Sequence, residues 1–538
     1  MTELQNALVR IIENEQSTLY WIVDWVNSDP RIQDVNLSDF WGPAASRNYS
    51  SDVVVKRAFT VPGQKRVGEC LSYVEKALSG LRDVASEKDE FYAWYRKKYI
   101  QSWKDFISSF SEGQHNIDGA DEWQTMTAKM TTPHNPYFDL IEVCSTALKP
   151  YADNSDNPQW VSQMIEVQAI IEESRKERDV RHGDTMLSKA TREGEKLVQK
   201  VITETKAVRD LKTVERHMQG AKAFNNYLEH LEGLLPVSTA RSQAYKAASE
   251  FFPYSLKPSE SKSPFFSAYG EIEKFKTYLK FHGDSAIAMQ LVSGPLNFLI
   301  YYVSMETACS LQHDWEDIVL GGIQGVAREK ISVLLFGENG VVWKFVNGPA
   351  APFLGRNQHG YFAKKARGAR IPFKSDFFTF ITQGAQVSTS VQADYKVRVS
   401  ALPVDVNDDA QKEPYEVALE LQCSTGKILL ENFNHPVSRV FTWSPNECGD
   451  VILQIYFEGL VLTKKYTGHD GFPQFLADFK YGSKSFTPDD FPQSKGILQE
   501  MKVKEIKVSY EFVDNNPVIK LLEKIPKNAP TVIATCWD

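Results

Sequence analysis

Side-chain chemistry needs particular residue types at particular spacings, and several segments of this 538-residue chain approach such patterns without completing one. The ten histidines are scattered, and none has a second His or Cys at metal-ligand spacing. His230, between Glu229 and Glu232, lies in a charged helical stretch where surface ion pairing is expected rather than acid–base work. Asn116, Asp118 and Asp121 approach a calcium loop, but the spacing and the terminal bidentate Glu are missing, so no calcium is expected there. Gly426-Lys427 lacks both the upstream glycine and the following Ser/Thr of a phosphate-cradling loop. Neither a Gly-x-Ser-x-Gly elbow nor a His-Glu-x-x-His helix occurs. No catalytic residue, metal ligand or cofactor-binding residue is assigned, no cofactor is expected, and the chain reads as a non-enzyme.

The most regular pattern is aromatic. Tyr92, Tyr95, Tyr99, Trp103, Phe106 and Phe110 step by 3, 4, 4, 3 and 4, which is one stripe on one helix face. Such a stripe can stack sugars or bases, and beside two carboxylates about 5–9 Å apart it would suit an envelope glycan hydrolase. A buried core seam is the expectation. The six cysteines (Cys70, Cys144, Cys309, Cys423, Cys448, Cys536) include no Cys-x-x-Cys pair, which excludes zinc-ribbon spacing and a disulfide-dense scaffold. Cys423 and Cys448 share a strand-rich region and can pair in an oxidising compartment; free, buried thiols are the expectation.

Composition is that of a protein with real cores: 42% apolar and 24% charged residues. Its length allows about three or four domains. A net charge of −8, from 61 basic and 69 acidic residues, gives no basic surplus for nucleic acid. No run of about 18 apolar residues offers a bilayer span, so no transmembrane segment is expected in this chain. Met1-Thr2-Glu3-Leu4-Gln5 lacks the basic and apolar regions of a signal peptide. Either the chain is cytosolic, or it is a piece of a longer one whose targeting segment lies elsewhere.

The elements that position these residues change character near the middle. Helical spacing runs from Leu4 to Val26, from Gln64 to Ala85, along the aromatic stripe, and from Tyr137 to Leu148, with a loop over Gly113 to Asp121. From Pro158 to Phe252 the pattern is almost continuously helical. There Glu172 to Asp179 alternates in sign, as a solvated face with pairs three and four apart would. Pro253 to Pro264 reads as a Ser/Pro/Lys linker, and helices resume over Ile272 to Phe281, Asn297 to Cys309 and Trp315 to Ile331. After Gly384 the period becomes two, in Tyr395–Leu402, Val417–Cys423, Ile428–Leu430, Val440–Trp443, Val451–Phe457, Leu460–Tyr466 and Val503–Val513. One amphipathic helix, Pro473 to Tyr481, interrupts them.

The fold class expected is therefore multidomain α then β: elongated helical-bundle domains followed by a C-terminal antiparallel β-sandwich-like domain. The segments are 1–150 and 151–260 (the second long and charged), 261–335, a joint over 336–384, and the β domain over 385–538. In the joint, Asn339-Gly340 signals a turn, Gly348-Pro349 breaks what precedes it, and Phe373, Phe377, Phe378 and Phe380 are docking aromatics. Loops at Asn432–Arg439 and Gly468–Phe472 gather exposed aromatics and turns, which makes Asn432, Phe433, His435, Arg439, His469 and Phe472 the candidate partner-binding residues.

Several segments resemble, in order and spacing over roughly 60–537, the C-terminal periplasmic part of the IcmF/TssM proteins of bacterial type VI secretion systems. Tyr95 to Phe106 is similar to the family's "Y…Y…W…L" helix, and Asn135 to Ile141 with Thr146-Ala147-Leu148 to its "SP…LL…T.L" segment. Phe336-Gly337-Glu338-Asn339-Gly340 through Trp343 and Phe345 resembles "FGPGG…FF", with Glu338-Asn339 in place of Pro-Gly. Pro352-Phe353 resembles "PF", and Trp443-Ser444-Pro445 stands where the family has Trp-Pro-Gly. The family's Tyr-Pro-Phe segment is missing, and its "GxWA" is represented by Gly471-Phe472 alone. The resemblance implies a non-catalytic envelope scaffold in the periplasm, part of an inner-membrane-anchored protein of a Gram-negative bacterium. Its implied partners are an outer-membrane lipoprotein of TssJ type, an inner-membrane TssL-type protein and further copies of itself. It implies structural roles for Phe336, Gly337, Gly340, Trp343, Phe345, Pro352, Phe353 and Trp443. Set against it are a cytosolic helical adaptor with a β-sandwich recognition module, and the glycan hydrolase.

Overall fold

Helical spacing and strand alternation both become the elements they announce in the computed structural model of the chain. It describes residues 19–42, 53–78, 85–152, 156–182, 208–254, 261–279, 286–326, 331, 334–337, 339–391, 394–445, 447–468, 470–524 and 528–537. The chain divides into two compact units. Unit 1 comprises 1–307, 365–369 and 537–538; unit 2 comprises 308–364 and 370–536.

Unit 1 is helical, with one two-residue antiparallel pair, β1 (Val35–Asn36) and β2 (Val54–Val55). Its principal helices are Trp21–Asn27, Val61–Leu78, Ala85–Ser109, Gly119–Met130, Pro136–Leu148, Gln159–His182, Val208–Glu232, Arg241–Phe251 and Pro264–Tyr278, with the first part of Ala286–Trp315. The first helical stretch anticipated from Leu4 is seen from Trp21 onward, its start lying outside the described residues. The helix at Pro136 starts there for a local reason. Asn135 caps it, accepting from the Tyr137 and Phe138 amides at 3.2 Å each, and Pro136 occupies the first turn, where a missing N–H costs nothing. The stretch anticipated as a loop at Gly113–Asp121 is instead helical. A 3-10 segment spans Phe110–Asn116 and a helix starts at Gly119, which takes φ +74.

The aromatic stripe is a core seam. Tyr95, Tyr99, Trp103, Phe106 and Phe110 are buried, and only Tyr92, at the N-terminal end, is 42% exposed. Trp103 donates to the Phe59 carbonyl at 3.0 Å and the Tyr95 hydroxyl bonds the Ala58 carbonyl, so the stripe fixes the preceding turn as well as filling the core. Packed rings of this kind do not form an open stacking platform along the helix, and the hydrolase reading loses that support.

The charged stretch keeps the solvated face anticipated for it at Glu172, Glu173 and Lys176, while Ser174, Arg175 and Arg178 turn toward neighbouring helices. Ser174 is buried and donates to Asn225 at 2.6 Å, while Arg175 pairs with Glu142 at 3.0 Å and Arg178 with Glu232 at 2.5 Å. These partners belong to other helices. Alternating charge here ties helix to helix, because Arg is long enough to reach across while its stem lies on apolar surface.

Ala286–Trp315 is 30 residues long and contains Pro295. The Val292 carbonyl near this proline takes a bond from the Tyr227 hydroxyl at 2.9 Å. Within the helical stretch Ile287–Ile323 an 18-residue window is apolar enough to cross a membrane, yet 72% of that window is buried inside the protein, as befits a core helix.

Unit 2 carries the hairpin β3 (Leu354–Asn357) and β4 (Gly360–Ala363), the helices Val341–Asn347 and Ser375–Val391, and the β domain. The strands of that domain are β5 (Tyr395–Ala401), β6 (Asp405–Val406), β7 (Glu416–Cys423), β8 (Gly426–Asn432), β9 (Val437–Trp443), β10 (Cys448–Phe457), β11 (Leu460–Tyr466), β12 (Ser483–Phe486) and β13 (Ile506–Val513). All pairings are antiparallel, in two sheets of order β11-β10-β7-β8 and β12-β13-β5-β9, with β6 on β13. Alternation sends Val417, Leu419 and Leu421 of one sheet and Val397, Val399 and Ala401 of the other into a single core. Phe472, Phe475 and Leu476 of the helix Gly471–Asp478 complete it.

The expectation of free thiols is overturned for four cysteines. Cys423 pairs with Cys448 across β7 and β10, and Cys309 pairs with Cys536 over a separation of 227 residues. Cys70 and Cys144 remain free and buried.

Candidate interaction surface

The landmark residues assemble a joint inside unit 2. Trp315 is at its centre, with ring centres of Phe345, Phe377 and Phe380 at 5.1, 5.5 and 5.9 Å. Its indole donates to the Pro530 carbonyl at 2.7 Å. Phe336 packs on Phe380 at 5.1 Å, and Trp343 returns a bond to the Phe336 carbonyl at 3.0 Å. Two glycines are there for space. A Cβ on Gly340 would lie 2.3 Å from the Leu335 carbonyl oxygen, and one on Gly384 would lie 2.0 Å from the Phe336 ring. Gly337, Phe345 and Phe353 are buried, Pro352 is half-buried, and Trp443 stacks in the β core against Tyr395 and Phe472.

The C-terminal tail closes this joint. Gln312 donates to the Thr531 carbonyl and accepts from the Ile533 amide, both at 2.8 Å. Lys374 bonds Ile533 at 2.8 Å, Thr535 bonds Pro372 at 2.9 Å, and Cys536 is then linked to Cys309. Sequence periodicity gives no hint of this arrangement, since the tail partners lie more than 150 residues away.

The candidate partner loops divide into scaffold and surface. Asn432 is 2% exposed: its amide donates to the Leu402 carbonyl at 2.6 Å and its oxygen accepts from the His435 amide at 2.9 Å. Asn434, at φ +56, bonds Val404 and Pro414. Phe472 is fully buried, stacked at 5.7 Å on Phe441. Asn432 and Phe472 hold the fold and offer no docking atoms. Phe433 (55% exposed), His435 and Arg439 are on the surface, and His469 lies outside the described residues. Arg439 is inward in register opposite Val399, yet exposed at the sheet edge, where it bonds the Leu429 carbonyl of β8. Val440 and Tyr415 add exposed apolar area that the sequence reading did not single out, because alternation alone does not tell an open edge from a covered one.

Charge on the β domain is mostly locally compensated. Asp450 takes Lys465 at 2.5 Å and the Gly468 amide at 2.8 Å; these bonds, the lysine's first, hold its carboxyl below the usual range. Hydrogen bonds from Gln422 first, and then Lys427, hold Glu420 down in the same way. A cleft of about 700 Å³ near Lys495, Lys502 and Lys504 is crossed by the pairs Lys495–Asp489 at 2.5 Å and Lys504–Asp409 at 2.8 Å. Among the described residues, no three His, Cys, Asp or Glu side chains gather as a metal would need. What this surface displays is exposed aromatics beside paired charges.

Architecture and surface together define a protein of helical domains followed by a disulfide-bonded, β-rich C-terminal domain. No protein-family model matches the chain, and no curated protein does. Among solved structures it is similar to one described as a type VI secretion system membrane core complex (13% identity, TM-score 0.42, 97% of this chain and 99% of that chain covered). It is similar to one described as a type VI membrane complex (11% identity, TM-score 0.43, the same coverages). A third is the C-terminal domain of the T6SS protein TssM from EAEC, at 14% identity and TM-score 0.24, covering 43% of this chain and 99% of that domain.

Proposed function

We propose that this chain is the periplasmic part of an IcmF/TssM-like protein: a scaffold of a type VI secretion membrane complex that oligomerises and binds an outer-membrane lipoprotein of TssJ type. An inner-membrane TssL-type protein would be its second partner, and an anchor outside this sequence would hold it to the inner membrane. The observation that carries the reading is the landmark stretch folded as a buried joint of unit 2 and closed by a disulfide. Motif residues that are packed rather than displayed suit a structural part. Disulfides persist in oxidising compartments such as the periplasm and are rare in the cytosol, which argues against the cytosolic adaptor.

Docking falls to the exposed residues of the β8–β9 turn and β9: Phe433, His435, Arg439 and Val440. Co-purification of the full chain with a TssJ-type lipoprotein from the same source tests this. Arg439→Glu with Phe433→Asp is expected to lower capture by about tenfold or more, as for a small cluster of anchor residues, in a variant whose melting curve shows it still folded despite the lost Leu429 bond. Unchanged capture by that variant would sink the loop assignment. The scaffold reading itself fails if the wild-type chain, with both disulfides formed, neither captures the lipoprotein nor self-associates.

A further inference from the structure

The helical unit contains a cleft of about 230 Å³ between the end of the stripe helix and the helix Ala286–Trp315. Ser111, Gln114, Gln290 and Asn297 are the non-aromatic polar residues of its lining, and Phe110, Tyr137, Phe298 and Tyr301 are its rings. Three primary amides converge there, while none of the eleven lining residues is a carboxylate, ammonium or guanidinium. A charged ligand would find no counter-charge in this lining, and a purely apolar one would cover amides without bonding them, which is unfavourable. Asn297 accepts from the Tyr269 hydroxyl at 3.0 Å, which turns its NH₂ into the available donor.

Tyr301 is the exposed ring of the lining, backed by buried aromatics. Tyr301 is 40% exposed, and its ring centre lies 5.7 Å from Trp123. Trp123 in turn stacks on Phe298 at 5.3 Å and meets Trp537 at 4.6 Å. A rigid ring face beside uncharged amides is complementary to a neutral polyhydroxylated ring: its C–H face lies on the aromatic, and its hydroxyl and acetamido groups bond the amides. The volume is below the roughly 300–1,000 Å³ of pockets for drug-sized ligands, so it suits one sugar ring rather than a chain segment.

We propose that this cleft binds the terminal residue of a neutral N-acetylated saccharide, with Tyr301 as the stacking face and Gln114, Gln290 and Asn297 as the amide partners. Binding without cleavage is meant, because the lining has no carboxylate to act as acid or nucleophile. The site stands whether or not the β domain docks a lipoprotein.

The test is calorimetric and fluorescence titration of the full chain with the tetrasaccharide of N-acetylglucosamine, with the glucose tetrasaccharide as control. Saturable binding in the millimolar range or tighter is expected for the N-acetylated form alone, with a change in tryptophan emission. Tyr301→Ala and Gln114→Ala should each weaken it by about tenfold, and Tyr301→Phe should retain it, since the ring face is kept. Melting curves separate lost binding from lost folding. Absence of saturable binding, an equal response to the glucose tetrasaccharide, or unchanged affinity in the folded Tyr301→Ala and Gln114→Ala variants would each overturn the proposal, the last two by assigning the response to a non-specific or different surface.

Discussion

Removing the two disulfides in turn should destabilise unit 2 unequally. A cross-link acts largely by restricting the unfolded chain, with an effect that grows with the logarithm of the loop it closes. The Cys309–Cys536 separation of 227 residues corresponds to about 5.4 kcal/mol, and the Cys423–Cys448 separation of 25 to about 3.5 kcal/mol. Replacing both partners of each pair by alanine leaves no odd thiol. The tail contacts of Pro530, Thr531 and Ile533 remain available in the Cys309/Cys536 double variant, so the covalent link is what is lost. Scanning calorimetry of the oxidised proteins is the assay. At roughly 2–4 °C per kcal/mol for a unit of this size, the difference of about 2 kcal/mol should separate the two midpoints by about 4–8 °C. Thiol titration in denaturant should first count two free cysteines in the wild type, Cys70 and Cys144. An equal or larger loss in the Cys423/Cys448 double variant refutes the loop-entropy reasoning, and six reactive thiols refute the pairing itself.

Three further outcomes follow from the joint and the β domain. Gly384→Ala sits in a helix, where propensity alone favours alanine by about 1 kcal/mol, but its Cβ would meet the Phe336 ring at 2.0 Å. Net destabilisation of about 1–3 kcal/mol in urea is expected from overpacking, and a gain would mean the joint is loose. Trp315→Phe keeps the ring packing but strands the Pro530 carbonyl, at a cost of about 1–3 kcal/mol by the same measurement. Asp450→Asn tests the acid limb. Its folded carboxyl is lowered by Lys465 and Gly468, so its stabilisation is present above the unfolded pKa of about 3.9 and is lost as pH falls through the folded value. Wild-type and Asp450→Asn melting temperatures should differ at neutral pH and converge below about pH 4; parallel curves would remove the linkage.

Much of the architecture is written in the spacing of apolar residues. The aromatic stripe at steps of three and four could close only on one helix face, and the alternation in Tyr395–Ala401 and Glu416–Cys423 could bury only one side of a strand. Local rules also reached the start of the helix at Pro136, because a cap and a first-turn proline act within a few residues. Those signals are short-ranged. Asn432 and Phe472 looked like loop surface, since turn residues usually are. One instead holds Leu402 and His435, and the other fills the β core.

What only the tertiary structure decided is which distant residues meet. Cys309 and Cys536, Trp315 and Pro530, and the amides and rings of the Tyr301 cleft are brought together by the packing of whole elements. A linear pattern encodes which face of an element is apolar. It does not encode which other face covers it, because that depends on the summed burial and polar satisfaction of the entire unit. The sequence by itself therefore determined helices, then strands, and an aromatic joint between those two regimes. Tertiary packing decided that the joint is closed by the C-terminal tail, and which residues of the β domain are left exposed.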